Sequence, residues 1–427
     1  MRLKILDIPI DNFSHWETLN KIKDFLHNKE QNLITTPNPE MLVDADKDWF
    51  FKEIFYRSSL NIADGFGLVL AAKYLYHQKL NRYPGIDLML DVCRLAEQEK
   101  RSIFLLGSKQ ETLDQLTQNL LKLYPQIKIA GATAGLKISV QHNGADKRVW
   151  HNEFLTGLDF DQKENKKIID QINQVKPDIL FAAFGHIKQE KWLISYLNQI
   201  PSVKVAMGVG GAFNYLSGCV KRAPKMVRQL GLEWFWRLLS DPKYRTQRVF
   251  KATFTFLKLI KEYKQILKKP YKKGVVGFII DQNGQFFIAK RTPEKNDCYS
   301  LNTEHWQPPQ GGVDSKESLA EAVIRETEEE TGMKTQILCA AQDPHLYNWS
   351  FTSSTNPRFW KYRGAEKYPF LLQYNGDGAD IKLDKQELCD YKWVDLTELK
   401  RIIHPSRRES LEILLRDCSG QLPFKAK

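Results

Sequence analysis

Hydrophobic positions in residues 1–245 fall in short runs of strand length, and each run ends near a small or polar residue. Amphipathic stretches of helical period, such as ETLDQLTQNLLKLY (111–124), separate these runs. Buried strands that alternate with amphipathic helices predict a mostly parallel sheet with helices on both faces. The runs are NLITT (32–36), LNIADG (60–65), SIFLLGS (102–108), QIKIAG (126–131), DILFAAFG (178–185) and VKVAMGVGG (203–211).

This predicted α/β arrangement is Rossmann-like, and it indicates where chemistry should be sought. Ligands of such sheets bind beyond the carboxyl ends of the strands. The polar residues that close the apolar runs are therefore the candidate site residues of the N-terminal half.

The pattern changes after residue 245. Residues 246–269 keep a helical period with a mixed apolar and basic face, and Pro270 ends it. Two strand patterns then flank Asn283–Gly284, a dipeptide typical of a tight hairpin turn. A helix at 316–331 and later short strands complete an α+β pattern. We predict an α/β domain at 1–245, a basic amphipathic helix or linker at 246–273, and an α+β domain at 274–427.

Composition narrows the class of protein. Of the 427 residues 42% are hydrophobic, and no run approaches the roughly 18 apolar residues of a membrane span. The N-terminal segment has no signal-peptide pattern. We therefore expect a cytoplasmic protein, soluble or peripheral. The six cysteines contain no CxxC pair, and we interpret them as reduced thiols that form neither disulfides nor a zinc site: Cys93, Cys219, Cys298, Cys339, Cys389 and Cys418.

The net charge of +12 is concentrated in one segment. Basic residues recur from Lys221 to Lys273, where the acidic residues are limited to Glu233, Asp241 and Glu262. A solvated helix face would explain the charges alone. Because large aromatic residues accompany them, we favour contact with an anionic surface, either a membrane on its cytoplasmic face or RNA.

A glutamate-rich segment, GGVDSKESLAEAVIRETEEETGM (311–333), carries the most specific spacing in the chain. Asp314 and Ser315 are predicted to cap a helix, and Gly332 is predicted to end it in the left-handed conformation. Within the helix Glu326 lies three residues before Glu329 and four before Glu330. Their carboxylates therefore crowd one side. A hard divalent cation with oxygen ligands would offset that repulsion.

These residues resemble the box of the Nudix hydrolases, with Thr327 standing where an aliphatic residue is usual. The resemblance implies hydrolysis of a nucleoside diphosphate linked to another group, with Mg²⁺ or Mn²⁺ as cofactor. It implies metal ligation by Glu326, Glu329, Glu330 and Glu387, water activation by Glu326 or Glu329, and structural roles for Gly311, Glu317, Arg325 and Gly332. The flanking WQPPQGG (306–312) looks like the RNA pyrophosphohydrolase and dinucleoside polyphosphate hydrolase branch, although Pro308 replaces the usual Phe.

Separate motifs of the N-terminal half occur in a fixed order. They are TTPNPEML (35–42), IADGFG (62–67), RYPGIDL (82–88), FLLGS (104–108), FGHIKQEKW (184–192), VGGAFNYLSG (209–218), KRAP (221–224) and GLEWFWRLLSDPKYRTQR (231–248). Together they resemble the WecG/TagA/CpsF family, glycosyltransferase family 26. That resemblance implies transfer of an N-acetylmannosamine-type sugar from a UDP donor to a lipid-diphosphate-linked acceptor in surface polysaccharide synthesis.

The same resemblance implies roles for individual residues. Asp64 is expected to deprotonate the acceptor hydroxyl as general base. The expected substrate-binding residues are Thr36, Asn38, Gly107, Gln189, Glu190, Arg237, Arg245 and Arg248. Because arginines would neutralise the diphosphate, no cofactor is expected in this domain. Asp44-Ala-Asp46 is interpreted as a helix surface and not as a DxD metal motif.

Two departures leave alternatives open. Ile187 stands where the transferase family has Pro, and Asn214 stands where it has Asp. One alternative is a non-catalytic transferase-like scaffold that anchors an active Nudix hydrolase. Another is an RNA 5′-end pyrophosphohydrolase whose basic segment binds RNA.

Overall fold

The computed structural model describes residues 2–140, 157–224, 226–227, 236, 242–292, 305–349 and 361–422, with the backbone alone for 49, 140, 242–252 and 405. Over these residues the chain divides into two compact units, and the division falls between Lys264 and Gln265. We call them the N-terminal unit and the C-terminal unit. The three-segment division expected from the sequence stays a prediction.

The N-terminal unit alternates strands and helices along most of its length. In chain order its elements are β1 (Arg2–Ile5), β2 (Ile8–Asp11), α1 (His15–His27), β3 (Asn32–Thr35), α2 (Pro39–Ala45), α3 (Trp49–Arg57), β4 (Leu60–Asn61), α4 (Phe66–Tyr76), α5 (Gly85–Gln98), β5 (Ser102–Gly107), α6 (Gln110–Leu123), β6 (Lys128–Thr133), β7 (Ser139–Val140), β8 (Leu158–Asp159), α7 (Gln162–Val175), β9 (Ile179–Ala183), α8 (Lys188–Tyr196), β10 (Val205–Gly208) and α9 (Ala212–Leu216).

A six-stranded sheet in the order β4-β3-β10-β9-β5-β6 forms the centre of this unit, and all neighbouring strands are parallel. Ile103 and Leu105 point to one face and pack in a single core with residues of α1, α5 and α6. The alternate residues Leu33, Phe104 and Leu180 are also buried, so both faces are covered. The predicted parallel α/β sheet is therefore confirmed.

One long helix follows, Pro242–Leu267, which we call the basic helix. Phe256, Ile260 and Tyr263 recur at spacings of four and three and are buried to 4%, 4% and 1% exposure. This stripe packs the helix onto the N-terminal unit. At its end the Tyr263 hydroxyl donates to Asp7 Oδ1 at 3.1 Å. Asp7 also lies 3.7 Å from the buried Lys52 ammonium group.

The C-terminal unit contains a mixed sheet and three described helices. Its strands are β11 (Tyr271–Ile280), β12 (Phe286–Arg291), β13 (Trp306–Gln307), β14 (Gln310–Gly312), β15 (Thr335–Ala340), β16 (His345–Asn348), β17 (Gly364–Tyr374) and β18 (Leu388–Val394). Its helices are Leu319–Thr331, which we call the carboxylate helix, Leu396–Ile402 and Pro405–Asp417.

Side chains of β11 alternate between two cores. Val275 and Ile279 pack with Ala322 and Val323 of the carboxylate helix. Val276, Phe278 and Ile280 pack with residues of the last two helices. Strands β11 and β17 run parallel over ten residue pairs, and the other described strand pairs of this sheet are antiparallel. The predicted α+β fold and its first hairpin are confirmed.

Two sequence expectations are wrong. The carboxylate helix begins after Ser318, which forms a capping box with Glu321, and not at Asp314 or Ser315. Asp314 instead offers its backbone N–H to Glu317 Oε1 at 2.7 Å. The cysteines are not all reduced, because Cys339 and Cys418 form a disulfide with sulfur atoms 2.04 Å apart. They lie 79 positions apart in sequence and meet only through the fold of the C-terminal unit.

Candidate active sites

Thr36, Asn38 and Asp64 come together at the carboxyl edge of the parallel sheet. Thr36 follows β3, and Asp64 lies just beyond the neighbouring strand β4. The Asp64 backbone N–H donates to Pro37 O at 3.0 Å, which fixes one loop against the other. Asn38 caps α2 by accepting from Met41 N at 3.1 Å. A Cβ at Gly65 would lie 2.5 Å from Pro39 Cδ and 3.2 Å from Asn38 Cβ, so a glycine is needed for this close approach.

Gln189 and Glu190 form a buried pair over the end of β10. The Gln189 amide donates to Glu190 Oε1 at 2.7 Å and accepts from Gly210 N at 2.9 Å. Burial raises the pKa of Glu190, while its hydrogen bond to Gln189 and the nearby His186 lower it. The pair therefore fixes the glycine loop that follows β10.

Gly107 lies farther along the same edge, at the end of β5. Its φ of 110° places its backbone against Ala183, where a Cβ would approach to 2.8 Å. Four strand spacings separate β4 from β5 in the sheet order, or about 19 Å at ~4.8 Å each. The edge thus offers an elongated site, with Asp64 near one end and Gly107 near the other.

The basic candidates are described only in part. Arg237 lies outside the described residues, and Arg245 and Arg248 lie on the basic helix where only the backbone is described. Sequence reasoning assigned no role to Arg222, whose guanidinium binds Asp87 through bonds of 2.6 and 2.9 Å. That ion pair joins the KRAP and RYPGIDL motifs. In the sequence, the only indication of this contact is that both motifs belong to one ordered set.

The two departures from the family pattern have different structural settings. Ile187 has φ 69° and ψ −53°, a conformation that the ring of proline forbids. The loop before α8 therefore differs from one built on Pro. Asn214 is exposed and accepts from the Ser108 hydroxyl at 3.4 Å.

In the C-terminal unit Arg325 organises the carboxylates. Its guanidinium donates to both oxygens of Glu317, at 3.0 and 2.6 Å, and to Gly312 O at 3.1 Å. The remaining nitrogen donates to Glu326 at 3.0 Å and to Glu329 at 2.9 Å. These contacts raise the pKa of Arg325, so the guanidinium stays charged.

Glu330 differs from its neighbour Glu329 in burial. Glu330 is 5% exposed and its carboxylate accepts from Gln310 N at 3.2 Å, whereas the Glu329 side chain is 60% exposed. Burial and the charge of Glu387 raise the pKa of Glu330 to about 8. Burial also lowers the pKa of the neighbouring Lys367 to about 7. Lys367, which sequence reasoning missed, donates to Gly311 O at 2.5 Å.

Gly311 leaves room for the Glu326 carboxylate. A Cβ at this position would lie 1.7 Å from Glu326 Cδ, so no other residue is compatible with the observed rotamer. Gly332 ends the helix with φ 75°, as predicted.

The donor set of this site suits a hard divalent cation, because it consists of carboxylates and includes a buried one that lacks full charge compensation. The four predicted ligands are not gathered at one point here, since Arg325 binds Glu326 and Glu329. Among the described residues, the group of three His, Cys, Asp or Glu ligands with mutually close atoms lies elsewhere, at Glu40, Asp44 and His186.

Comparison with known proteins decides the family. The model of the glycosyl transferase WecG/TagA/CpsF family matches residues 3–270, more than half of the chain. The chain belongs to this glycosyltransferase family. A relative from Staphylococcus aureus (strain MW2) is 30% identical over 269 residues, which cover 62% of this chain and 95% of the relative. That relative is named N-acetylglucosaminyldiphosphoundecaprenol N-acetyl-beta-D-mannosaminyltransferase.

The NUDIX domain model matches residues 270–414, so the chain carries a Nudix domain behind its glycosyltransferase domain. Both predicted family resemblances are confirmed. Two solved structures match the chain weakly. They are a binary complex of C. elegans Ap4A hydrolase (21% identity, TM-score 0.27, 35% of this chain and 98% of that chain) and the MutT protein from Methanosarcina mazei Go1 (24%, 0.26, 35% and 97%).

Proposed function

We propose that this chain catalyses two reactions. The N-terminal unit transfers an N-acetylmannosamine-type sugar from a UDP donor to a lipid-diphosphate-linked acceptor. The C-terminal unit hydrolyses a nucleoside diphosphate linked to another group. The name of the S. aureus relative and the joining of Thr36, Asn38 and Asp64 at one sheet edge support the first reaction. The Nudix domain match and the Arg325 carboxylate network support the second.

In the proposed transfer Asp64 accepts the proton of the acceptor hydroxyl as that oxygen attacks the sugar. Gln189 and Glu190 hold the glycine loop near the donor nucleotide. Arg237, Arg245 and Arg248 would bind the donor diphosphate and stabilise the departing UDP, because a planar guanidinium matches two phosphate oxygens. The basic helix that carries two of these arginines is held to the unit by Tyr263.

Release of UDP from UDP-N-acetylmannosamine, with and without a lipid-diphosphate-linked acceptor, tests the transfer. Asp64→Asn should lower acceptor-dependent release by about 10²-fold or more, the usual contribution of a general base. The matched control Asp24→Asn changes an exposed aspartate of α1 and should retain activity. No acceptor-dependent release from the wild-type chain would favour the scaffold alternative.

In the proposed hydrolysis Glu326, Glu329, Glu330 and Glu387 would hold Mg²⁺ or Mn²⁺. Bound metal would neutralise the pyrophosphate and lower the pKa of the attacking water. Arg325 positions Glu326 and Glu329, and Glu326 or Glu329 accepts the proton of the water. Gly311 provides the space that the Glu326 carboxylate occupies.

A substrate screen tests this reaction and separates its alternatives. Nucleotide sugars, dinucleoside polyphosphates and 5′-triphosphorylated RNA would each be assayed with Mg²⁺ and with Mn²⁺. Glu329→Gln should abolish metal-dependent turnover of whichever substrate is used. Glu328→Gln, an exposed neighbour, should not. Equal hydrolysis by wild type and Glu329→Gln would contradict the assignment, and turnover of RNA alone would support the RNA-end alternative.

We propose that the basic helix also contacts the inner face of the cytoplasmic membrane. Among the described residues no helix has the length and apolarity to cross a bilayer. Phe254 and Leu257 of the basic helix are 64% and 58% exposed, next to the exposed Lys258 and Lys261. Exposed apolar and basic side chains on one helix are typical of binding to anionic lipid.

Vesicle sedimentation tests this contact. The full chain should bind phosphatidylglycerol vesicles and bind phosphatidylcholine vesicles less. Leu257→Asp should weaken binding by on the order of tenfold, because an apolar contact becomes a charge. Leu123→Asp, at a 60% exposed leucine of α6, is the control and should leave binding unchanged. Binding to RNA without binding to anionic vesicles would instead favour the RNA alternative.

A further inference from the structure

Three metal-ligating side chains meet in the N-terminal unit outside the proposed transfer residues. Glu40 and Asp44 lie four residues apart on α2, and His186 lies in the loop between β9 and α8. One ligand atom from each lies within 4.8 Å of the other two. His186 Nε2 lies 2.8 Å from Asp44 Oδ2. The sequence interpretation of Asp44 as plain helix surface therefore leaves out its main contact.

Glu190 provides a second and independent observation. Glu190 is 2% exposed, and its Oε1 accepts from the Gln189 amide at 2.7 Å. Its Oε2 is buried and has no hydrogen-bond partner among the described residues. A buried carboxylate oxygen without a donor is costly, and a cation bound nearby would offset that cost.

The topology brings Glu190 to the sheet edge at which the three ligands lie. Strand β10 lies between β3 and β9, and α2 follows β3 while His186 follows β9. Glu190 Oε1 lies 2.9 Å from the Cβ position of Gly208, the last residue of β10. Its carboxylate is thus at the end of the strand that lies between those leading to the other ligands.

We propose that Glu40, Asp44 and His186 bind one divalent transition-metal ion, at the sheet edge that also holds the buried Glu190 carboxylate. One imidazole with carboxylates suits Zn²⁺ or Mn²⁺, whereas the proposed Nudix ligands are carboxylates only. The ion would join α2, which Asn38 caps, to the turn that leads to Gln189. It would therefore hold together the two sides of the proposed transfer site. The proposal concerns binding of the ion and does not depend on the transferase activity.

Zn²⁺ binding to the full chain tests this site by equilibrium dialysis and metal analysis. His186→Ala should bind one equivalent fewer than the wild type. His27→Ala is the matched control. His27 also pairs with a carboxylate, that of Glu99, at 2.9 Å. Among the described residues, however, His27 belongs to no group of three potential metal ligands. The control variant should keep the wild-type stoichiometry. Equal stoichiometry in His186→Ala and wild type would overturn the proposal and leave an ion pair between His186 and Asp44.

A second variant guards against loss of fold. Asp44→Asn keeps the shape of the side chain and should weaken Zn²⁺ binding by about tenfold or more, the scale of losses at metal sites. Co²⁺ as probe should give visible absorption in the wild type that falls by one site in both variants. Zn²⁺ should raise the unfolding temperature of the wild-type N-terminal unit more than that of either variant. If Zn²⁺ raises all three equally, the proposed site is wrong.

Discussion

Single glycines decide whether the carboxylates of the Nudix domain can take their positions. Gly311 and Gly312 are neighbours on β14, but their surroundings differ. A Cβ at Gly311 would lie 1.7 Å from the Glu326 carboxyl carbon, while one at Gly312 would meet only the flexible end of Lys272 at 3.2 Å. The first glycine is therefore required by a site residue and the second is not.

We expect Gly311→Ala to lower metal-dependent hydrolysis by about 10²-fold or more, because misplacing a reacting group by about 1 Å has that effect. Gly312→Ala is the control and should stay within a few-fold of wild type. The measurement is kcat on the substrate found in the screen, with circular dichroism to verify the fold. Similar losses in both variants would show that Glu326 has no special dependence on Gly311.

Thr327 is a buried residue of the carboxylate helix whose hydroxyl has no hydrogen-bond partner among the described residues. Valine has the same shape without the hydroxyl. Thr327→Val should therefore raise the free energy of unfolding of the C-terminal unit, by about 1 kcal/mol.

The matched control is Thr331→Val, four residues later on the same helix. The Thr331 hydroxyl donates to Thr327 O at 2.5 Å and accepts from Met333 N at 3.2 Å, so its removal should destabilise the unit. Urea unfolding of the full chain, with hydrogen exchange to localise the effect, measures both. Destabilisation by Thr327→Val would mean that its hydroxyl is satisfied.

At the scale of elements, the spacing of apolar residues predicted which strands and helices form. Capping and turn residues did not always predict where those elements begin. The apolar runs correctly indicated a parallel sheet, and Asn283–Gly284 correctly indicated the β11–β12 hairpin. The start of the carboxylate helix was wrong because Asp314 and Ser318 both offer capping groups, and only the fold selects Ser318. The disulfide of Cys339 could not be foreseen, since its partner is 79 positions away.

The candidate site residues were likewise predicted only in part from the sequence. The family resemblance implied that Thr36, Asn38 and Asp64 serve one reaction, and they can lie together because the carboxyl ends of parallel strands share one edge. Lys367 was missed because its neighbour, Gly311 O, is a backbone atom on another strand. Its burial and depressed pKa arise only when β17 pairs with β11.

The basic helix should depend on one buried contact at its C-terminal end. Tyr263→Phe removes the hydroxyl that donates to Asp7 and leaves Asp7 beside Lys52 with one partner fewer. We expect the free energy of unfolding of the N-terminal unit to fall by about 1.5–3 kcal/mol, as for hydrogen bonds to charged groups. Tyr74→Phe, at an exposed tyrosine of α4, is the control. No difference between the variants in urea unfolding would contradict this anchoring role.

The C-terminal unit should lose stability in acid through His305. Burial, with the charges of His404 and Arg407, lowers the pKa of His305 to about 3 in the folded chain. Its ordinary value of about 6.5 applies in the unfolded chain. Between these values the unfolded state binds a proton that the folded state does not. The free energy of unfolding should thus decrease as pH falls from 6.5 towards 3, by up to about 1.4 kcal/mol per pH unit.

Hydrogen exchange of β12 and β13 at pH 7 and pH 5 measures this loss. His305→Phe can keep the ring stacking with His404, whose centroid lies 3.7 Å away, but it cannot take up a proton. The variant should therefore show a smaller pH dependence than wild type. An equal dependence in both proteins would assign the acid sensitivity to other groups.

The whole molecule combines a glycosyltransferase domain and a Nudix domain in one chain. Both proposed substrates contain a nucleoside diphosphate, so each unit must neutralise phosphate charge. The N-terminal unit is proposed to do so with arginines, and the C-terminal unit with a metal held by carboxylates. Neutralisation of phosphate by arginines does not depend on the metal that the carboxylates would hold. A chelator should therefore suppress hydrolysis in the full chain by depriving the carboxylates of their metal.

The central claim is that one chain holds two separate catalytic sites, and crossed variants test it most directly. Sugar transfer and nucleotide hydrolysis would be measured on wild type, Asp64→Asn and Glu329→Gln under identical conditions. We predict that Asp64→Asn loses transfer and keeps hydrolysis, while Glu329→Gln loses hydrolysis and keeps transfer. Loss of both activities in either variant, or of neither activity in both, would contradict the account.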